Sequence, residues 1–503
     1  MPMFKRVLIA NRGEIAVRIA QTLREMGIAP IAVFSEADRR SPHVRVAEFA
    51  YPIGPAPAAE SYLCIEKILK VAREAKADAI HPGYGFLSEN PTFADAVSDA
   101  GIVFIGPPAD AMRKMGSKTA ARTAMIAAGV PTVPGSEGAL RSDEEALNIA
   151  KRFGFPVMLK ASAGGGGKGM RLVHQEKDLL PGLRSARSEA KNAFGDDTVY
   201  LEKAILNPKH IEIQIFSGPD GETVWLGERE CSMQRRHQKV IEETPSPVVD
   251  ETLRQRMGEV ACRAAKAVDY RGAGTIEFLL DGDGSFYFLE MNTRLQVEHP
   301  VTELCCGTDL VRAQVNVAAG LPMPWEQHEI VRRGHAIEAR LYAENPRKKF
   351  MPSPGMIEEL VLPSGPGIRV DTGVASGVEV SRYYDPMIAK ISVWAETREA
   401  ARVKLHRALA DTAVNGIVTN ASFLRQLLDD PSFISGNYHT GSIAEMMTTA
   451  NYEISPDLVD VAILAKAILT YQMNTGSAQE KAARGGVRTG RSWRATPWRW
   501  GGG

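Results

Sequence analysis

Two glutamates, Glu277 and Glu290, occupy positions that an antiparallel hairpin would bring face to face. Apolar runs flank the sequence DGDG at 281–284, in which Asp283-Gly284 is a favoured two-residue hairpin turn. This turn predicts that Glu277 pairs with Glu290, with the Cβ atoms about 4.5–5.5 Å apart, where like charges repel. A divalent cation with oxygen ligands would remove that repulsion. The hairpin therefore predicts a metal site, and a solvated hairpin with a different turn register is the alternative.

Polar residues recur at every second position after this hairpin, as Asn292, Arg294, Gln296 and Glu298. Alternate residues of an extended chain lie on one face. We therefore expect these amide, guanidinium and carboxylate groups to share a surface with Glu290 and to form a wall of an active site.

A glycine-rich segment follows a predicted strand at 155–160. Residues 161–170 have the sequence ASAGGGGKGM, with Lys160 just before them and Lys168 inside. Consecutive glycines allow backbone N–H groups to curl around anionic oxygens. The segment is not a P-loop, because Gly169 stands where that motif requires Ser or Thr. A flexible turn is the alternative, but two lysines beside backbone donors favour a triphosphate site under a closing lid.

The N-terminal part alternates strand and helix patterns. Strands are predicted at 6–10, 31–34, 79–80 and 102–105, and helices at 15–26 and 62–75. This alternation predicts a doubly wound α/β domain, in which loops at the carboxyl ends of strands bind ligands. Tyr84 lies between two glycines in such a loop, where a ligand contact and a loop-packing role are equally open.

The composition is that of an ordinary globular protein of 503 residues, which is long enough for several domains. Lys plus Arg and Asp plus Glu both number 60, so we expect neither nucleic acid nor a membrane surface as the main partner. No run reaches the ~18 apolar residues of a membrane span, and residues 1–10 are too charged for a signal peptide, so a cytoplasmic location is expected. Five cysteines without a C-x-x-C pair favour neither a disulfide framework nor a zinc site.

Several long motifs, in this order, resemble those of the biotin carboxylases, which are ATP-grasp enzymes. They are IANRGEIA at 9–16, HPGYGFLSEN at 81–90, GSK at 116–118, Lys160 with its glycine loop, QRRHQK at 234–239, EMNTRLQVEHP at 290–300 and EAR at 338–340. The resemblance covers residues 3–447 and implies an α/β ATP-grasp fold. Its parts would be an N-terminal doubly wound domain at 1–115, a linker at 116–131, a small lid domain at 132–203, a larger C-terminal α+β catalytic domain at 204–447, and a helix with a Gly/Arg/Trp-rich tail at 448–503.

The resemblance also implies a reaction. ATP would phosphorylate bicarbonate to carboxyphosphate, whose carbon dioxide is transferred to N1′ of biotin. The expected cofactors are ATP, two ions of Mg²⁺ or Mn²⁺, and biotin as a carrier-bound substrate. Because the sequence contains no Ala-Met-Lys-Met motif for biotinylation, we expect the biotin carboxyl carrier protein and the carboxyltransferase on separate chains. We also expect a homodimer, with the acceptor (acetyl-CoA, propionyl-CoA or pyruvate) selected by the carboxyltransferase.

The matched motif positions imply residue roles. ATP would be bound by Lys118, Lys160, Gly166, Gly167, Glu202, Lys203, Ile205, His210, Gln234, His237, Glu277 and Glu290. The metal ligands would be Glu277, Glu290 and Asn292. Bicarbonate would be bound by Lys239, Arg294, Gln296, Val297 and Glu298, and biotin by Tyr84, Gln296 and Arg340. The catalytic residues would be Lys239, Arg294, Glu298 as general base, and Arg340, which would stabilise the biotin enolate.

Two other functions are open on the sequence. Another ATP-grasp ligase, forming a carbamate or an amide, would share the lysines, glycine loop and metal acids, but the full motifs around Glu298 and Arg340 disfavour it. A catalytically silent scaffold would lack charged site residues, and none is missing. The tail places arginines among tryptophans, a composition that can bind nucleic acid. We expect it instead to be disordered or to dock on a partner subunit.

Overall fold

The computed structural model describes residues 3–136, 138–161 and 170–449, with Leu464, Ala467 and Ile468 from the remainder. Residues up to Thr448 form one compact unit. In the predicted tail helix Leu464, Ala467 and Ile468 are helical and exposed, and the Gly/Arg/Trp-rich end lies outside the described residues.

A parallel sheet forms the centre of the N-terminal region. Over the described residues it has five strands, in the spatial order Phe49–Gly54, Ala29–Ser35, Arg6–Ile9, Ala79–His81 and Val103–Phe104. The helices of this region are Gly13–Glu25, Pro42–Val46, Ile65–Glu74, Pro91–Asp99 and Ala109–Gly116. The first strand of the chain lies between the second and the fourth, so the strand order reverses there. This is the doubly wound arrangement that the sequence predicts.

The helix Gly13–Glu25 shows why the sequence folds in this way. Ile15, Ile19 and Leu23 recur every fourth residue, and all three are buried against the sheet. That spacing places them on one helix face, and burial of each such side chain contributes about 1.5–3 kcal/mol. Glu14 is also buried, at the carboxyl end of the first strand.

A small antiparallel sheet occupies the region predicted as the lid. Its strands lie in the order Met170–Val173, Val157–Ala161 and Val199–Lys203, with helices Asp143–Phe153 and Leu179–Phe194 packed against them. Burial alternates along the central strand, so Val157 and Leu159 face the core and Lys160 faces the other side. The segment predicted as a linker contains the helix Lys118–Ala127.

A large antiparallel sheet dominates the C-terminal region. In the part of the chain that is described, its eight strands run from edge to edge as Phe286–Asn292, Gly272–Leu280, Lys209–Ser217, Thr223–Arg235, Gln238–Thr244, His335–Tyr342, Met387–Ala395 and Ile368–Thr372. The α-helices here are Glu251–Lys266, His299–Cys306, Leu310–Ala318, Arg398–Ala410, Ala421–Asp429, Pro431–Ser435 and Ser442–Thr449. Short ladders pair Glu344–Asn345 with Met351–Pro352, Gly355–Met356 with Glu379–Val380, and Glu359–Val361 with Ala413–Asn415.

Separate apolar clusters hold helices against the large sheet. One joins helix Glu251–Lys266 to the edge that ends in the strand Phe286–Asn292, and another joins helix Arg398–Ala410 to the strands His335–Tyr342 and Met387–Ala395. Between these clusters the sheet carries buried charged residues, among them Glu242 and Glu338 on neighbouring strands. None of the helices among the described residues is long and apolar enough to cross a lipid bilayer.

Candidate active site

The hairpin at the edge of the large sheet pairs Glu277 with Glu290, as the sequence predicts. Glu277 is buried, whereas Glu290 is exposed. The charge of Glu277, together with desolvation, raises the pKa of Glu290. Burial acts to raise the pKa of Glu277 too, but Lys239 and His210 outweigh burial and hold that pKa well below its ordinary value. The pair is therefore asymmetric, with one ionised carboxylate repelling the charge of the other.

The predicted two-residue turn at Asp283-Gly284 is wrong. Asp281 N donates to Ser285 O at 2.8 Å, which closes a three-residue loop, and Gly284 takes φ +83. Only glycine adopts that backbone conformation without strain, and the loop with a left-handed third residue is a common hairpin form. A bulge at Leu289 then absorbs the extra residue on the returning strand and restores the predicted register.

The polar residues after the hairpin converge, although not along an extended chain. The strand ends at Asn292, and Glu298 immediately precedes the helix His299–Cys306. Asn292 Nδ2 donates to Glu277 Oε1 at 2.8 Å, and Gln296 Nε2 donates to the same oxygen at 3.2 Å. Asn292 and Gln296 therefore meet at Glu277, and beyond Asn292 a turn rather than the predicted extended chain brings them together.

Arg294 binds the amides on either side of it in the sequence. Its Nη2 donates to Asn292 Oδ1 and its Nη1 to Gln296 Oε1, both at 3.0 Å. Nε forms an ion pair of 2.8 Å with Glu89 Oε2, from the motif at 81–90. The guanidinium is thus fixed in one orientation by two segments distant in sequence.

Lys239 is the central cation of the site. Its Nζ lies 2.5 Å from Glu212 Oε2, 2.9 Å from Glu277 Oε1 and 2.7 Å from Glu298 Oε1. Burial alone would lower the pKa of this lysine, but the three carboxylates raise the pKa well above its usual value. The permanently charged ammonium of Lys239 therefore balances much of the negative charge of these three carboxylates.

Glu298 is fully buried between two cations. Oε1 accepts from Lys239 Nζ, and Oε2 accepts from Arg340 Nη2 at 3.0 Å. Burial opposes ionisation of Glu298, yet Lys239 and Arg340 hold its pKa well below the ordinary value. The group is consequently an ionised carboxylate in a water-poor environment.

Arg340 is held on its other side by Glu242, whose Oε1 accepts from Arg340 Nε at 2.6 Å. Burial raises the pKa of Glu242 to about 8 in spite of Arg340, and the Oε2 of Glu242 is enclosed without a hydrogen-bond partner among the described residues. Arg340 therefore lies between two buried carboxylates, of which burial makes Glu242 the more readily protonated.

Three family descriptions match this chain in succession. The description "Biotin carboxylase, N-terminal domain" matches residues 3–112, "Carbamoyl-phosphate synthase L chain, ATP binding domain" matches residues 117–326, and "Biotin carboxylase C-terminal domain" matches residues 338–445. The biotin carboxylase of Halalkalibacterium halodurans is 54% identical over 441 residues, which cover 88% of this chain and 97% of that protein.

The chain belongs to the biotin carboxylase family. The rat methylcrotonoyl-CoA carboxylase subunit alpha, a mitochondrial protein, is 53% identical over 441 residues, and the match spans 88% of this chain but 62% of that subunit. A solved structure of the biotin carboxylase domain dimer of Hydrogenobacter thermophilus 2-oxoglutarate carboxylase, in complex with MgADP, ADP and bicarbonate, superposes with a TM-score of 0.83. It is 44% identical and covers 90% of this chain and 100% of that chain. The ATP-grasp fold and the ATP-dependent ligase class predicted from the motifs are confirmed.

The small antiparallel sheet brings Lys160 to the strand Val199–Lys203. Lys160 Nζ donates to Glu202 Oε2 at 2.5 Å, and Arg122 Nη1 lies 3.5 Å from the other oxygen of Glu202. The predicted ATP residues Lys203 and Ile205 continue this segment, and both are partly exposed. Gly166, Gly167 and Lys168 lie outside the described residues, as does the side chain of Lys118.

His210 and Gln234 join the cluster around Glu277. His210 Nε2 lies 3.0 Å from Glu277 Oε2, and Gln234 Nε2 lies 3.3 Å from His210 Nδ1. His237 does not join them, because it lies in the exposed turn that links Gln238–Thr244 to the preceding strand, at φ +67. This predicted ATP residue therefore lies outside the cluster around Glu277.

Tyr84 lies on the N-terminal side of the same site. Its backbone carbonyl accepts from Asn11 Nδ2 at 2.8 Å, and its ring centroid lies 5.8 Å from Lys390 Nζ. The hydroxyl is enclosed without a hydrogen-bond partner among the described residues. Val297 reaches this region through its carbonyl, which accepts from Lys390 Nζ at 2.7 Å.

Sequence reasoning missed several buried residues that support the site. Glu212 and Arg229 form an ion pair with both side chains fully buried, and Arg229 Nη1 also donates to Gln214 Oε1 at 2.6 Å. Alternation along the strand Lys209–Ser217 placed Glu212 and Gln214 on one face, but the sequence does not indicate which face is the charged one. Glu89, Glu242 and Lys390 were missed as well, because their partners are distant in sequence.

The residues present fit a hard divalent cation. Glu277, Glu290 and Asn292 offer carboxylate and amide oxygens, the ligands that Mg²⁺ takes. The raised pKa of Glu290 reflects a repulsion that a cation would relieve. His210 and Glu212 lie close by, since one ligand atom from each and one from Glu277 all lie within 4.8 Å of one another.

Proposed function

We propose that this protein uses MgATP and bicarbonate to carboxylate biotin on a carrier protein, through carboxyphosphate. The observation that carries the proposal is the buried, ionised Glu298 between Lys239 and Arg340. Phosphate binding alone would be common to many ligases, whereas a carboxylate flanked by two cations suits removal of a proton from a small oxyanion.

Bicarbonate is proposed to bind against Lys239 and Arg294, with Gln296 and the backbone of Val297 beside it. The planar guanidinium of Arg294 matches a planar anion, and it is already oriented by Asn292 and Gln296. Bicarbonate gives its proton to a carboxylate oxygen of Glu298, and its oxygen attacks the γ-phosphorus of ATP while the bond to ADP breaks. The low pKa of Glu298 makes it a weak base, so proton transfer must accompany this attack.

ATP is proposed to bind between the lid and the large sheet, with Lys160 on the phosphates and the segment from Glu202 to Ile205 along the base. His210, Gln234 and His237 complete the nucleotide contacts, with Lys118 and the glycines Gly166 and Gly167. Glu277, Glu290 and Asn292 would hold Mg²⁺, which when bound neutralises charge on the transferred phosphoryl group. Mn²⁺ in place of Mg²⁺, and a second ion, are part of the proposal.

Biotin is proposed to lie between Tyr84, Gln296 and Arg340. Carboxyphosphate breaks down to carbon dioxide and phosphate, and phosphate takes the proton from N1′ of biotin. The resulting enolate is stabilised by the guanidinium of Arg340, which Glu242 and Glu298 hold in place. The enolate nitrogen then attacks carbon dioxide.

The carrier and the carboxyltransferase are proposed to be separate chains, and this chain is proposed to form a homodimer in the cytoplasm. Support comes from the Halalkalibacterium biotin carboxylase, of which this chain spans 97%, and from the dimer of the Hydrogenobacter domain. Mass measurement of the purified protein by light scattering tests the dimer, and a mass of one chain would contradict it.

Phosphate release from ATP and Mg²⁺, with and without bicarbonate and free biotin, tests the reaction after removal of contaminating carrier. Release that requires bicarbonate and increases with biotin, with carboxybiotin formed, is the expected result. If phosphate release requires bicarbonate but changes with neither free biotin nor carrier-bound biotin, a carbamate-forming ligase is favoured. That outcome would be in line with the description matched by residues 117–326. No release, even with carrier and carboxyltransferase added, would favour a scaffold.

A further inference from the structure

Lys390 is a fully buried lysine in the middle of the strand Met387–Ala395. It pairs in register with Arg340 on the neighbouring strand. A buried ammonium is costly unless several acceptors satisfy it. The groups that contact Nζ therefore indicate the role of the buried charge of Lys390.

The hydrogen bond of Lys390 is made to the backbone next to the proposed base. Lys390 Nζ donates to the carbonyl oxygen of Val297 at 2.7 Å, and Glu298 is the next residue. This carbonyl belongs to the turn between the strand that ends at Asn292 and the helix that begins at His299, a segment without strand pairing of its own. A charged donor is a stronger anchor for such a carbonyl than a neutral one.

The other partners of Lys390 come from three further segments. Glu14 Oε1 lies 3.3 Å from Nζ and belongs to the helix Gly13–Glu25 of the N-terminal domain. Asp371 Oδ2 lies 3.6 Å away on the strand at the sheet edge, and the ring of Tyr84 has its centroid at 5.8 Å. One ammonium group thus joins the segment that carries the proposed base to the N-terminal domain, beside Tyr84 of the proposed biotin site.

We propose that Lys390 is a positioning residue, which fixes the Val297 carbonyl and thereby sets Glu298 relative to Tyr84. This inference rests on the proposed function. Lys390 does not contact the reacting atoms, and its effect passes through the backbone of Val297. Without it, the segment that carries the base and the bicarbonate-binding backbone is free to shift against the N-terminal domain, and small shifts of reacting groups cost rate steeply.

The test compares Lys390→Met, which keeps length and removes the charge, with Lys404→Met. Lys404 is a matched control, because its Nζ donates to the carbonyl of Trp394 at the same 2.7 Å, away from the site. KM for bicarbonate, KM for ATP and carboxybiotin formed per phosphate released are measured for each variant and for the wild type. Thermal unfolding of each variant reports its folding.

We expect Lys390→Met to raise KM for bicarbonate about tenfold or more, to leave KM for ATP within about twofold, and to lower carboxybiotin per phosphate. Lys404→Met should match the wild type in all three. An unchanged bicarbonate KM and coupling ratio in Lys390→Met, or an equal loss for both substrates, would overturn the proposal.

Glu14→Gln provides a second variant in case Lys390→Met does not fold. It removes one anchor of Lys390 and leaves the bond to Val297, so KM for bicarbonate should rise about threefold with a wild-type KM for ATP. Wild-type values for both substrates would contradict the proposal. Wild-type protein without bicarbonate-dependent phosphate release would instead overturn the proposed function, and this inference with it.

Discussion

Glu298 Oε1 and Lys239 Nζ lie 2.7 Å apart, and the same ammonium is shared with Glu212 and Glu277. One lysine therefore compensates the proposed base, a supporting carboxylate and a proposed metal ligand. An anion that binds at Lys239 must compete with these carboxylates for the ammonium group. A cation bound at Glu277 would weaken the ion pair between Glu277 and Lys239 and so favour the interaction of Lys239 with that anion. Nucleotide with its metal should therefore favour bicarbonate binding.

Replacement of Glu298 by Gln should keep ATP binding and reduce turnover by about 10²–10⁴-fold, as loss of a positioned base does. The amide keeps the size of the side chain but cannot take the bicarbonate proton. Phosphate release and nucleotide binding by calorimetry measure the two effects. Glu259→Gln, at an exposed helix position, is the control and should behave as wild type. Normal turnover in Glu298→Gln would remove the role assigned to it.

Replacement of Lys160 by Met should raise KM for ATP about 10- to 100-fold, the range expected when a charge-assisted hydrogen bond to phosphate is lost. The lysine is held ready by Glu202 at 2.5 Å. Lys151 is the control, since it forms only an exposed ion pair with Glu176 in the same region, and Lys151→Met should change KM by less than about twofold. Equal values in the two variants would contradict a phosphate contact by Lys160.

Replacement of Glu290 by Gln should raise the stability of the metal-free protein and reduce the stabilisation that Mg²⁺ provides. Without metal, loss of the repulsion with Glu277 should stabilise the protein by about 0.2–1 kcal/mol. With Mg²⁺ and nucleotide, the increase in melting temperature seen for the wild type should shrink, because one oxygen ligand is gone. Differential scanning fluorimetry across a Mg²⁺ titration measures both. A variant with an unchanged Mg²⁺ response would exclude Glu290 as a ligand.

Glu230 predicts a pH dependence of stability away from the site. Burial raises the pKa of Glu230 to about 7, and its oxygens accept from Ser232 N at 3.2 Å and Ser246 Oγ at 2.9 Å. Between the ordinary pKa and about 7 the folded state holds the proton that the unfolded state has lost. The contribution of Glu230 to the free energy of unfolding therefore falls as pH rises, by at most about 1.4 kcal/mol per pH unit.

Glu230→Gln should abolish this dependence of the free energy of unfolding on pH. Urea denaturation at pH 5, 6, 7 and 8 should give a wild type that weakens relative to the variant between pH 5 and 7, with the difference constant above about pH 8. Wild type and variant curves that run parallel from pH 5 to 7 would show that the carboxyl is ionised at its ordinary pKa. Glu259→Gln, exposed on a helix, is again the control and should run parallel to the wild type.

The pairing of Glu277 with Glu290 was predicted from a two-residue turn that does not form. The pairing is nevertheless correct, because the three-residue loop and the bulge at Leu289 compensate each other and leave the same register at the glutamates. The convergence of Asn292, Gln296 and Glu298 followed from their spacing, but the turn that produces it depends on where the helix from His299 packs.

Residues that act through tertiary contacts could not be found in this way. Arg229 lies between two glutamates in the sequence and Glu212 between two isoleucines, and only the sheet register reveals that they are buried together. Lys390 lies in a mostly apolar strand, where the sequence indicates a core position. Its partners Glu14 and Val297 are both distant along the chain, and Val297 is 93 residues away.

The ion pair between Glu89 and Arg294 crosses from the segment matched at 3–112 to that matched at 117–326, and the bond from Lys390 to Val297 crosses from the segment matched at 338–445. No single segment therefore contains a complete site. Separately expressed fragments should be inactive until they reassociate. A chimera in which one segment comes from a relative should be active only if it keeps both residues of each pair that joins two segments.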